Sequence, residues 1–387
     1  MNRGLTGRYE VVQVAGDRVR AFIPQPLPPQ PALEMSDRRQ RLLERATLSL
    51  GRLDSVTLLL PDPGLFLYAY VRREAVLSSQ IEGTQSSLTQ LMLFELQEAP
   101  GVPLDDVTEV SNYVAALDHG IRRLSEGLPL SNRLIREMHQ ILLSQGRGSE
   151  KNPGEFRRSQ NWIGGTRPAN AHFVPPPPQY VEECMADLER FLHDEGHSYP
   201  SVIKVALAHA QFETIHPFLD GNGRVGRLLI AFTLHHDHVL AQPLLYLSLY
   251  FKQHRDEYYR LLDSVRSQGD WETWTDFFLE GVDYTASNAV ETAKRLVDLF
   301  QRDEQQIQSV SGQASAPLRV FRSLCERPLL TVKEARERTG LSFPAAGGAM
   351  QTLKELGIAR EISGKRRNRV FAYDQYLTIL NEGTEQS

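Results

Sequence analysis

Residues 216–227 read His216-Pro-Phe-Leu-Asp220-Gly-Asn-Gly-Arg224-Val-Gly-Arg227. The stretch holds an imidazole able to accept a proton at neutral pH, a carboxylate suited to a hard cation, a glycine turn and two guanidinium groups. The turn Gly221-Asn222-Gly223 leads straight into Leu228-Leu229-Ile230-Ala231-Phe232, an apolar run that reads as a helix. A glycine turn at a helix N-terminus leaves N–H groups pointing outward beside the positive end of the dipole, and this binds phosphate. Arg224 and Arg227 add fixed donors for phosphate oxygens. Asp220 is placed to hold Mg²⁺ between phosphates, and His216, four residues earlier, to take a proton from an attacking hydroxyl. Phe218 reads as the loop's anchor in the core. On these residues alone the chemistry is phosphoryl or nucleotidyl transfer from a nucleotide.

Bulk properties narrow the setting. A chain of 387 residues has room for two or three domains. A net charge of −5 argues against a mainly electrostatic binder of nucleic acid or membrane. Cys184 and Cys325 lie far apart and outside any metal-ligand spacing, as expected of buried thiols in a reducing compartment. No apolar run reaches the roughly 20 residues needed to span a bilayer. The opening Met-Asn-Arg-Gly-Leu-Thr lacks the apolar core of a signal peptide, so the expectation is a cytoplasmic protein.

Helical periodicity dominates outward from the central stretch. It predicts helices over 36–60, 64–98, 107–126, 131–145, 179–194, 200–215, 246–267 and 271–308. Residues 1–35, with the proline run 23–31, read as an extended arm lying on the body. Residues 153–178 have no helical period and read as a short hairpin or flap ending in a rigid proline run. After a polar linker, 331–339 and 343–356 flank Gly340-Leu341-Ser342 in helix-turn-helix fashion, and 357–373 reads as a two-stranded wing with Lys365, Arg366, Arg367 and Arg369 at its tip.

The twelve residues 216–227 resemble the signature of the Fic family, H-x-F-x-[DE]-G-N-G-R-x-x-R, with every specified position filled. The resemblance implies a mainly α fold: a helical Fic bundle with a short β-hairpin flap, followed by a small C-terminal winged helix-turn-helix domain. The expected divisions are 1–125, an N-terminal arm and helical region; 126–267, the catalytic domain; 268–312, connecting helices; and 313–387, the winged domain. The implied activity is transfer of AMP from ATP to a Ser, Thr or Tyr hydroxyl of a target protein, with self-modification also expected. His216 matches the base and Asp220 the Mg²⁺ ligand. Gly221, Asn222, Gly223, Arg224, Val225 and Gly226 match the phosphate loop, and Arg227 the γ-phosphate arginine. The flap residues Asn161, Trp162, Ile163 and Gly164 match the segment that holds a target strand by β-augmentation. Tyr258 and Tyr259 resemble the pair lining the adenine side; nearby, where some members carry Asn, this chain has Arg266.

A second resemblance lies upstream. Ser78-Ser-Gln-Ile-Glu82-Gly83 fits the family's inhibitory pattern [ST]-x-x-x-E-[GN]. Ser78 and Glu82 fall on one helix face, with Gly83 as the stop. The resemblance implies that Glu82 pairs with Arg227 and denies it to the γ-phosphate. Other readings stay open: a nucleotide-sensing transcription regulator, transfer of another nucleotide or phosphate-linked group, and removal of AMP by a water that Glu82 orients. So do two partners, a second copy of the chain in a homodimer and DNA on the C-terminal domain. A membrane is not among the expected partners.

Overall fold

The computed structural model describes residues 3–59, 63–96, 104–194, 199–309, 315–364 and 368–382. The chain opens with a hairpin, β1 (Gly7–Val14) and β2 (Asp17–Pro24), paired antiparallel from Gly7↔Pro24 to Val14↔Asp17. Its two-residue turn, Ala15-Gly16, has both φ positive (48° and 88°), the geometry whose twist matches that of the strands. The extended arm expected here is therefore confined to the proline-rich stretch after β2. The signal was legible: Val12, Val14, Val19 and Ala21 face one small apolar cluster with Val174.

The body is helical. It runs α1 (Asp37–Leu59), α2 (Pro63–Ile81), α3 (Leu88–Glu95), α4 (Leu104–Ser125), α5 (Asn132–Leu142), α6 (Pro178–His193), α7 (Ser201–Ile215), α8 (Asn222–His236), α9 (Ser248–Gln253), α10 (Arg255–Gln268) and α11 (Trp271–Ser309). Two predicted helices divide. The run 64–98 breaks after Ile81, where Gly83 takes φ +101° and Ser87 starts a new helix with a capping box to Gln90. The run 246–267 breaks at His254.

Helix α7 is buried from Val202 to Ile215 and pairs with α8, buried from Arg224 to Leu234. A helix apolar all round belongs in the centre of a bundle. Helix α11 is the spine on which α1, α7, α9 and α10 pack. Trp274, fully buried on α11, donates its indole N–H to the Ala206 carbonyl of α7 at 2.8 Å. The loop 216–221 is the link between α7 and α8, so its two ends are held by two buried helices packed on each other.

The C-terminal elements are α12 (Ser315–Glu326), β3 (Leu329–Thr331), α13 (Val332–Thr339), α14 (Phe343–Glu355), β4 (Arg360–Glu361), β5 (Val370–Ala372) and α15 (Asp374–Asn381). The strands form one antiparallel sheet in the order β3-β5-β4. Thr331 starts α13 with a capping box to Glu334, Gly340 ends it at φ +66°, and Ser342 caps α14. This unit packs firmly on the body. Phe300 of α11 meets Phe321, Tyr373 and Tyr376, and Tyr373 donates its hydroxyl to buried Asp303 at 2.6 Å. Arg73 of α2 donates to the Glu382 carbonyl. The division expected at 312/313 and the wing-tip residues Lys365, Arg366 and Arg367 lie outside the described residues.

Candidate active site

The loop 216–221 is shaped by its own side chains. His216 caps α7 in the left-handed region, φ 50° and ψ 60°, a conformation that costs a non-glycine residue energy and needs support. Arg157 supplies it. This buried guanidinium donates to the carbonyls of His216 (2.9 Å), Ile215 (3.3 Å) and Pro176 (2.6 Å), and its own N–H donates to the Pro217 carbonyl. A cation at the C-terminus of α7 also suits the dipole. Burial pushes the Arg157 pKa down to about 10, still charged at neutral pH.

Asn222 closes the other side. Its side chain accepts from the Phe218 N–H at 2.8 Å and donates to the Phe218 carbonyl at 2.9 Å. The Asn222 side chain is spent on the turn, and the cradle expected of this residue rests on its backbone N–H. Phe218 is fully buried and stacks on His139 with ring centroids 3.7 Å apart, as its anchor reading requires. The Gly154 N–H donates to His139 Nδ1 (2.8 Å), so Nε2 carries the proton and donates to the Asp220 carbonyl (3.0 Å). Burial pushes the His139 pKa down to about 4, which keeps this tautomer neutral.

At the mouth, Gly221 caps α8 at φ +75°. The Asp220 carboxylate is about one-third exposed (35%) and sits over Gly148, where an added Cβ would lie 2.9 Å from Oδ2. Among the described residues no cluster of three or more His, Cys, Asp or Glu could hold a metal. A single exposed carboxylate fits Mg²⁺ shared with phosphate oxygens and waters, not a cage built by the protein alone.

The two arginines of the stretch have different partners. Arg224 is almost fully buried and donates to Glu109 at 3.2 Å, with Asp220 3.5 Å away. Arg147 closes on the other oxygen of Glu109 at 3.2 Å. Arg227 donates through Nε to Ser78 Oγ (2.8 Å) and through Nη2 to the Ser78 carbonyl (2.9 Å) and Glu82 Oε1 (2.7 Å). Burial opposes the Arg227 charge, but Glu82 outweighs it and the net pKa is raised. Glu82 moves the opposite way: burial raises its pKa, and Arg227, Arg224 and His216 bring it below the usual carboxylate range. Its Oε1 presses on the first turn of α8, only 2.3 Å from where a Cβ on Gly223 would stand. A carboxylate therefore lies against the helix N-terminus where phosphate would bind.

Val225 and Gly226, read as part of the phosphate loop, belong to packing. Val225 is fully buried, and a Cβ on Gly226 would lie 2.4 Å from Glu213 Oε1. Tyr258 is likewise committed: it is buried, and its hydroxyl donates to His209 Nε2 at 2.9 Å. Its neighbour Tyr259 is 42% exposed and presents its ring beside Arg255. Arg266 is buried, donates to Thr214 Oγ1 and lies over the Phe173 ring at 4.0 Å.

The flap is looser than a hairpin. One antiparallel bridge, Ile163↔Phe173, pins it, with Phe22 of β2 donating to the Val174 carbonyl alongside. Asn161 donates to the Phe218 carbonyl at 3.0 Å and so ties the flap to the loop. Trp162 is 37% exposed, and Gly164 takes φ +68° against His172. Sequence reading did not single out His139, Arg157, Glu109 or Glu213. Each acts through a partner distant in sequence or, for Glu213, hidden in an apolar helix.

The fold and this loop define a class: helical proteins built around a signature loop that links two buried central helices. Residues 40–122 match the Fic/DOC family N-terminal region and residues 129–234 the Fic/DOC family, so the chain carries a Fic N-terminal domain and a Fic domain. Protein adenylyltransferase Fic of Drosophila grimshawi is 30% identical over 208 residues, 53% of this chain and 40% of that protein. The same-named protein of Drosophila ananassae is 30% identical over 53% of this chain and 39% of its own length. The chain thus spans about 40% of the length of these relatives. A Fic family protein from Desulfovibrio desulfuricans shares the fold at 21% identity and TM-score 0.58, over 88% of this chain and 97% of that one. A fragment of Fic-1 from C. elegans aligns at 22% identity and TM-score 0.50, over 67% and 73% respectively.

Proposed function

We propose that this chain transfers AMP from ATP to a Ser, Thr or Tyr hydroxyl of a target protein and is held at rest by Glu82. The observation that carries the reading is the shared seat. The N-terminal turn of α8 and the Arg227 guanidinium together form an anion site, and the anion now in it is Glu82, at 2.7 Å from Arg227. A γ-phosphate there would meet like charge, and Arg227 would be unavailable to it.

In the released state the backbone of Gly221–Gly223 holds phosphate, Arg227 takes the terminal oxygens, and Asp220 would hold Mg²⁺, which supplies charge neutralisation. His216 then takes the proton of the target hydroxyl. Burial first, then the Arg157 and Arg266 cations, push the His216 pKa down to about 3, so its imidazole is neutral at pH 7 but a weak base until the nucleotide's negative charge beside it raises its proton affinity. The target backbone lies along the flap beside Ile163, with Trp162 at the rim. Tyr259 is left to flank the base. The names of the Drosophila relatives support this reaction, and the intact His216 favours an enzyme over a nucleotide sensor.

For residues 315–381 we propose a winged helix-turn-helix module. The order helix, strand, helix, helix, strand, strand supports it. The exposed start of α14, Phe343-Pro344-Ala345 with Gly347-Gly348, offers no polar side chain for base edges, which favours a protein partner or a second copy over sequence reading. The direct test of the main reading is incubation with ATP labelled in its α-phosphate. Label retained on this protein or a lysate protein after denaturation supports transfer; label from the γ-phosphate alone would replace AMP transfer with phosphoryl transfer.

A further inference from the structure

We propose that Glu213 is a positioning residue for His216, fixing the imidazole with its proton on Nδ1 and receiving that N–H in a hydrogen bond as the ring becomes cationic. This deepens the transfer reading above and rests on it for the catalytic step. Three observations carry it. Glu213 Oε2 is the carboxylate oxygen nearest the ring, 4.0 Å from His216 Nδ1, three residues back on α7. Among the described residues no side chain hydrogen-bonds the buried His216 Nδ1, which otherwise faces only the Glu213 backbone carbonyl, and Glu213 Oε1 is buried without a partner. Gly226 leaves the room: a Cβ there would collide with Glu213 Oε1 at 2.4 Å.

The geometry sets the tautomer. A ring that must accept a proton at Nε2 needs its own proton on Nδ1, and that N–H needs an acceptor in a buried site. At 4.0 Å the pair is beyond hydrogen-bond length, so a small rotation of either side chain completes it. In the step itself, the target oxygen bonds to the α-phosphorus as the bond from that phosphorus to the β-phosphate's bridging oxygen breaks. Pyrophosphate leaves with that electron pair. The hydroxyl proton passes to His216 Nε2, and Nδ1–H then donates to Glu213 Oε2.

The surroundings make this carboxyl responsive near neutrality. Burial raises its pKa to about 7, with Glu82 adding to the rise and the Arg227 and Arg266 cations opposing it. Tyr258 and Tyr259 of α10 also face it. Ionised Glu213 serves the imidazolium; protonated Glu213 does not.

Two measurements test the assignment. In the Glu82→Gly protein, AMP transfer should rise with pH as Glu213 ionises, with a midpoint below that of the wild-type carboxyl because the Glu82 charge is gone, and Glu213→Gln should remove that limb and slow transfer about 10- to 100-fold, with ATP affinity unchanged. Glu213→Asp, which keeps the charge, should restore part of the rate and the limb. Independently of any transfer, the His216 ring resonances of the isotope-labelled wild-type protein should move between pH 5 and 9 as Glu213 titrates, and stay flat in Glu213→Gln. If Glu213→Gln does not fold, Glu213→Asp carries the resonance test through a displaced midpoint. His216 resonances that titrate alike in wild type and variants, or a pH limb that survives Glu213→Gln, overturn the assignment. Absence of AMP transfer in Glu82→Gly refutes the proposed function instead, and the ring titration still decides on Glu213.

Discussion

Replacing Glu82 by glycine removes one carboxylate from the seat on α8 and frees Arg227 from its 2.7 Å partner, while the Ser78 contacts of Arg227 remain. The size of the release follows from charge. Two unit charges about 4 Å apart at an intermediate effective dielectric interact by about 4 kcal/mol. The Glu82 side chain is 32% exposed, so water screens part of this, and about 2–3 kcal/mol is the working figure. That converts to an increase in transfer of about 30- to 150-fold, which matches the release of an arrangement about 99% populated. The assay is incorporation of AMP from α-labelled ATP into the protein itself and into a lysate, at fixed ATP and Mg²⁺. Adding Arg227→Ala to Glu82→Gly should abolish the gain, because the freed donor is gone. Glu82→Asp, one methylene shorter, should give partial activation. A folded Glu82→Gly protein whose rate equals or falls below wild type would refute the brake and leave the Glu82–Arg227 pair as a structural contact.

His216→Ala should lower transfer by about 100- to 10,000-fold while ATP binding, measured calorimetrically, stays near wild type. Trp162→Gly with Ile163→Gly should remove labelling of a target with little change in ATP affinity, since Ile163 pairs with Phe173 on the flap and the anion seat is made by Arg227 and the first turn of α8. Arg157→Met should abolish transfer with residues 216–227 untouched, and lower the melting temperature, because buried carbonyls lose their donor at about 1–3 kcal/mol each. Glu74 tests linkage: it is buried beneath Ser248 and Tyr113, and burial raises its pKa to about 7. A carboxyl raised in the folded state binds its proton more tightly there, so its contribution is full below the unfolded value and lost as pH rises through about 7. Glu74→Gln should therefore gain on wild type by up to about 3 kcal/mol between pH 4.5 and 8, read as a growing difference in melting temperature.

Much of the architecture was legible because helices announce themselves locally. The apolar period of 200–215 and the glycine turn before Leu228 placed the central pair and the loop between them. The Ser78–Glu82 spacing placed a carboxylate one helical turn from a hydroxyl, and both reach the same arginine. What stayed hidden depends on partners far along the chain. Nothing near Arg157 in sequence says that it will hold the carbonyls of 215 and 216, and nothing near Glu109 says that Arg224 will turn toward it. Tyr258 and Tyr259 are adjacent and chemically alike, yet the rotation of one helix sends one ring into the core and the other to the surface. The N-terminal hairpin was readable from its alternation and its Ala-Gly turn, and the neighbouring prolines drew the reading away from it.

The support of His216 by Arg157 has a consequence for how such chains are counted. The left-handed backbone at His216 is held by a side chain 59 positions upstream, outside the twelve residues that mark the protein. A survey that scores genomes by the 216–227 string would register a chain with Met at 157 as fully equipped, although its imidazole would have lost its frame. Inactive copies of this protein can therefore keep a perfect signature, and a survey for working ones should read position 157 together with the loop.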